Sequence, residues 1–76
     1  MNHSYIIELK YAIYKDSESR VEELSLEGIA QANRYADSYR VKNAVGTTQL
    51  HKIVVVYKGM EMRVCEEIVP LHETHN

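Results

Sequence analysis

The residues with the most obvious chemical capacity are the histidines of the closing "VPLHETHN". A zinc-hydrolase signature places two histidines one helical turn apart, at i and i+4, with a glutamate between them as general base. His72 and His75 stand three residues apart, follow Pro70 and end one residue before the chain does. They have no third ligand nearby, whereas catalytic zinc uses three fixed ligands and an open position. The expectation is a flexible tail over residues 71–76 and no metal site.

The other chemical candidates are equally thin. Cys65 is the sole cysteine, which excludes an internal disulfide and a multi-thiolate zinc site. It alternates with its neighbours inside a strand pattern, the setting of a packed thiol rather than a nucleophile. His51 lies in another strand and could approach it, but nothing in the sequence places the two together. Glu22–Glu23 and Glu66–Glu67 are adjacent pairs, and adjacent residues on a strand point to opposite faces. The glycines at 28, 46 and 59 are too scattered to form a phosphate loop. These routes fail one by one, so the residues imply a binding protein with no catalytic residue and no cofactor, not an enzyme.

A cluster better suited to binding is "NRYADSYRVK". It sets Arg34, Tyr35, Arg40 and Lys42 around the second half of a helix and its exit, with Tyr5 and Tyr14 as further candidates elsewhere. Tyrosine and arginine offer large contact area with a polar end, which is why both are enriched at hot spots. The plainer account is that Tyr39 packs on a sheet while the cations are solvated near the negative end of the helix dipole.

These residues need elements to position them. "SYIIELKYAIYK" alternates, with Tyr5, Ile7, Leu9, Tyr11 and Ile13 on one face and Glu8, Lys10 and Tyr14 on the other. That is a half-buried strand. "KDSES" is a turn or loop, and "RVEEL" is either a short edge strand or the approach to a helix. Ser25 suits an N-cap, and Leu26, Ile29, Ala32, Ala36 and Tyr39 form one stripe of a helix from about residue 26 to 39. Gly28 weakens its first turn without evident cause. "RVKNAVGTTQ" is the exit and a loop, "LHKIVVVYK" a central strand, and "YKGME" a hairpin turn into the strand "MEMRVCEEIV". The predicted fold is α+β: one helix on a small, three- to four-stranded, mainly antiparallel sheet in the order β-(β)-α-β-β, a single domain over residues 1–70. Both sheet faces carry apolar residues, so one helix leaves a face uncovered, and a homodimer or an obligate complex is expected.

Bulk properties narrow the partners. The formal net charge is −2. Residues 1–27 and 61–76 are each net −3, while residues 28–60 are net +4. Direct nucleic-acid binding by that basic middle is open, although the acidic flanks oppose a duplex. No run approaches the roughly 20 apolar residues of a membrane span, and Glu8 and Lys10 interrupt any signal-peptide core. A soluble, cytoplasmic protein is expected.

The opening "YII" strand, the acidic turn, the helix beginning "SLEGIAQANRYA" and the hairpin "VVVYKGMEMRV" together resemble small phage-encoded anti-CRISPR proteins of the type I-F inhibitor kind. The resemblance covers residues 4–65. The stretch 40–48 and the residues after Cys65 depart from it, and no functional residue carries across by position. It implies a non-enzymatic phage or mobile-element protein, resident in the host cytoplasm, that blocks a bacterial protein complex such as a CRISPR surveillance complex. The alternatives are a small nucleic-acid-binding regulator and a homodimeric structural or assembly module.

Overall fold

A computed structural model describes residues 3–43 and 49–69. Its elements run β1 (His3–Ala12), α1 (Glu18–Asn43), β2 (Gln49–Lys58) and β3 (Glu61–Glu67). One helix packs on a three-stranded sheet of order β1-β2-β3, the expected α+β class. The sheet is mixed: β1 and β2 pair in parallel, with His3 opposite Gln49, and β2 and β3 pair antiparallel. The parallel pair follows from the long helix. At 26 residues it spans about 39 Å, enough to carry the chain back along a ten-residue strand of about 33 Å. A parallel neighbour needs such a crossover.

The helix begins earlier than its stripe of larger apolar residues suggested. Ser17, not Ser25, caps it: the Arg20 amide donates to Ser17 Oγ at 3.2 Å. "RVEEL" is therefore helical rather than an edge strand. The buried stripe is Val21, Leu24, Gly28, Ala32 and Ala36, while Leu26 is exposed. Gly28 has a packing reason. A Cβ there would lie 3.1 Å from Val54 Cγ1 and 3.6 Å from Glu8 Cγ, so its absence lets the helix lie close over β1 and β2.

Ahead of α1, Asp16 closes the turn by accepting from the Ile13 amide at 3.0 Å. At the hairpin, Gly59 adopts φ +62°, a left-handed conformation that glycine takes without penalty, and its amide donates to the Ala12 carbonyl at 2.8 Å. A bulge follows, since Val56 faces Val64 while Tyr57 faces Met62; the extra residue is Arg63. Arg63 and Lys58 both reach Glu18, at 2.6 and 3.0 Å, tying the helix start to the hairpin.

The core lies between helix and sheet and consists of Ala12, Val21, Leu24, Val54 and Val56, with Ile29, Val64 and Ile68 against it. The face of β1 that the helix covers is the opposite of the one the apolar alternation suggested. Ser4, Ile6, Glu8, Lys10 and Ala12 turn toward the helix, and Tyr5, Ile7, Leu9 and Tyr11 are exposed on the far side. The "HETH" histidines, Pro70, Gly46 and the tail of residues 71–76 lie outside the described residues. Among the described residues, no helix is long and apolar enough to cross a membrane.

Candidate active site

On the covered face of β1, Glu8 and Lys10 sit two residues apart and so project to the same side. Their side chains are only 16% and 18% exposed, and Lys10 Nζ lies 3.9 Å from Glu8 Oε1. The separation is an ion pair without a direct hydrogen bond. Val54 and Val56 are their register partners on β2, and the Gly28 backbone passes above Glu8. The strand fixes both charged groups from below and the helix confines them from above. Because β1 is an edge strand, the pair borders solvent along one side.

Two residues along β2, Lys52 faces the same way. It is 8% exposed, and its ammonium donates to Asn33 Oδ1 on α1 at 2.8 Å. The Ile68 amide donates to the Lys52 carbonyl at 2.8 Å, holding its backbone from the β3 side.

The opposite face has a different polar group. His51 Nδ1 is 2.8 Å from Glu67 Oε2 and His51 Nε2 is 2.9 Å from His3 Nδ1, with Tyr5 stacked on the His51 ring. This chain is engaged with itself on the face turned away from Glu8 and Lys10. It also accounts for His51 without Cys65, which is exposed on β3 rather than packed.

The residues singled out for binding do not converge. Arg34, Tyr35, Arg40 and Lys42 are exposed on the second half of α1. Tyr5 lies on the far sheet face, and Tyr14 is in the turn after β1 with Lys15 Nζ 6.0 Å from its ring. The alternation of the strand gives no signal for Glu8 and Lys10, because opposite charges on one face of a half-buried strand read as its solvated side.

A family model described as the PD-(D/E)XK nuclease superfamily matches residues 1–67, and the chain belongs to that superfamily. No curated protein and no solved structure matches it. The finding overturns the picture of a non-enzymatic, anti-CRISPR-like inhibitor of a host complex, and with it the expectation that the chain is not an enzyme; a bare regulator or assembly module is not favoured either. The (D/E)XK pattern in the family's description occurs once in the sequence, as Glu8-Leu9-Lys10. The Pro-Asp pair does not occur in these 76 residues, whose only proline, Pro70, precedes Leu71.

Carboxylate-based phosphodiester cleavage ordinarily enlists a hard divalent cation held by one or two carboxylates, waters and the substrate phosphate. Glu8 fits as one such oxygen ligand. Among the described residues no group of three His, Cys, Asp or Glu could hold a metal ion, so these residues do not form a complete cage of their own.

Proposed function

We propose that the chain carries the (D/E)XK part of a nuclease active centre, in which Glu8 and Lys10 act on a phosphodiester of a nucleic acid. The observation that carries this reading is the pairing of those two side chains, 3.9 Å apart and mostly covered, on the only tripeptide that fits the family's pattern.

The chemistry is hydrolysis. A water oxygen forms a bond to phosphorus, the bond to the leaving oxygen breaks, and one proton moves from the water while another reaches the leaving group. Negative charge grows on the non-bridging oxygens as the reaction proceeds. Lys10 supplies a fixed positive charge where that growth occurs, and a preoriented charge of this kind stabilises the transition state more than the ground state. Glu8 positions the reacting water as an acceptor or serves as a cation ligand. A bound Mg²⁺ would supply Lewis-acid polarisation of the phosphate and a more acidic water. The pair also orients itself: Lys10 limits the rotamers Glu8 can take, and the helix backbone at Gly28 lies against Glu8.

The test is cleavage of labelled duplex and single-stranded DNA, with Mg²⁺, by the full polypeptide that carries these residues. Glu8→Gln keeps the shape of the side chain and removes its charge. It is expected to lower the rate by at least about 100-fold while the circular dichroism spectrum stays unchanged. Cleavage by Glu8→Gln at the wild-type rate would remove Glu8 from the chemistry.

A further inference from the structure

We propose that Lys52 is a phosphate-binding residue of this site, gripping a substrate phosphate beside the one that Glu8 and Lys10 act on; the assignment rests on the nuclease reading above. Lys52 is the only buried charged residue among those described. Taking an ammonium out of water is unfavourable unless an anion or several acceptors replace the lost hydration. The ammonium has three donors, and among the described residues one of them is used, on the neutral amide of Asn33.

Lys10 is matched by Glu8, and Lys58 is matched by Glu18. Lys52 makes no ion pair with any described residue. Its diagonal neighbours on this face, Glu8 on β1 and Glu66 on β3, form no ion pair with it, and the side chain is held by Asn33 at its tip and by Ile68 at its backbone. For packing alone a methionine would fill the same space without the desolvation.

Placement points to the same role. Lys52 is the register partner of Ile6, and Val54 that of Glu8, so Lys52 is the diagonal neighbour of Glu8 on one face. Diagonal neighbours on a sheet lie about 7–8 Å apart, so one strand of nucleic acid can present a different phosphate to each. The N–H groups of Lys52 that do not go to Asn33 suit phosphate oxygens, which accept strongly and carry negative charge. Asn33 then acts as a positioning residue that aims the ammonium.

The experiment compares binding of a fluorescent DNA duplex in EDTA, across a range of salt, for the full polypeptide and three variants. Each phosphate neutralised adds about 0.9 to the slope of log K against log salt on duplex DNA. Lys52→Met is expected to lower that slope by about 0.9 and Lys52→Arg to retain it, while Asn33→Ala weakens binding with little change of slope. A wild-type slope and affinity in Lys52→Met would overturn the proposal and make Lys52 a structural residue. Mg²⁺-dependent cleavage separates the two levels. If Glu8→Gln abolishes cleavage while Lys52→Met keeps the wild-type slope, the nuclease reading stands and the phosphate assignment falls. If the wild type neither binds nor cuts DNA, the nuclease reading fails and takes this assignment with it.

Discussion

On β1 the side chains turned toward the helix include Glu8 and Lys10, while those turned away are Tyr5, Ile7, Leu9 and Tyr11. The same division runs into β2, where Lys52 is buried and Tyr57 stacks with Tyr11 across the bare face at 5.8 Å between ring centroids. In an ordinary half-covered sheet the apolar set lies under the helix and the charges face water. Here the covered side holds a core of Ala12, Val21, Leu24, Val54 and Val56, and Glu8, Lys10 and Lys52 are enclosed beside it. Charges are expensive to confine, so their presence under the helix marks the side on which the fold has been shaped for something other than stability. The bare side carries exposed apolar residues, with Ile7 at 59% exposure, beside the His3–His51–Glu67 hydrogen bonds.

The sharpest way to break that comparison is to alter adjacent residues that point to opposite sides. Lys10→Met removes the cation from the covered face. It is expected to lower cleavage about 100- to 1,000-fold, the range seen when one preorganised stabilising group is lost. Leu9→Asn, one residue away on the bare face, is expected to leave the rate within about threefold, because a surface substitution there shifts energies by only about 0.5 kcal/mol. Rates measured on both variants at saturating substrate decide it. Equal losses would mean that β1 matters as a strand and that neither face is the site.

What could be read from the residues, and what could not, follows from the same two faces. The alternation of β1, the apolar run "IVVV" of β2 and the "KGME" hairpin locate three strands because period and turn chemistry are local signals. The helix was legible too, but its start was not: Val21 and Leu24 are in phase with Gly28, Ala32 and Ala36, and small residues give a weak apolar stripe. The covered face could not be read at all. Period two separates the faces of a strand but does not say which one a helix will cover when both carry apolar groups. Tyr5, Ile7 and Leu9 are the larger residues and draw the assignment, whereas the close approach allowed by Gly28 settles it for Glu8 and Val54. Parallel pairing of β1 with β2 depends on where a 26-residue helix returns the chain, and no residue of either strand encodes that.

A second test weighs the two faces by stability. Val56 is fully buried and Ile7 is mostly exposed. Val56→Ala removes two buried methyl groups' worth of apolar contact and leaves a small void, so it is expected to cost about 2 kcal/mol in denaturant melts. Ile7→Ala, which removes more atoms, is expected to cost only about 0.5 kcal/mol. Should Ile7→Ala cost as much as Val56→Ala, the face carrying Tyr5, Ile7 and Leu9 would be buried in solution, and the partner covering it would then show as a concentration-dependent melting midpoint.

The smallest effect separates charges that fasten the covered face from charges that work on it. Glu18 receives hydrogen bonds from Lys58 and from Arg63, at 3.0 and 2.6 Å, and these hold its carboxyl below the usual 4.5, the Lys58 bond contributing most. A carboxyl whose folded-state value is depressed contributes stability that is fully present above its unfolded value and is lost as pH falls through the folded one. The loss attributable to Glu18 therefore begins as pH drops below about 4.5 and continues downward. Glu18 is fully exposed to solvent screening, so the contribution is small and salt weakens it. In Glu18→Gln the melting midpoint is expected to sit slightly lower near neutral pH, to fall less between about pH 5 and 3 than in wild type, and to depend less on salt. Lys52→Met is expected to show neither change, since no described carboxylate forms an ion pair with that cation. If the two variants gave the same pH and salt profile, Lys52 would belong with Glu18 among the fastenings of the fold.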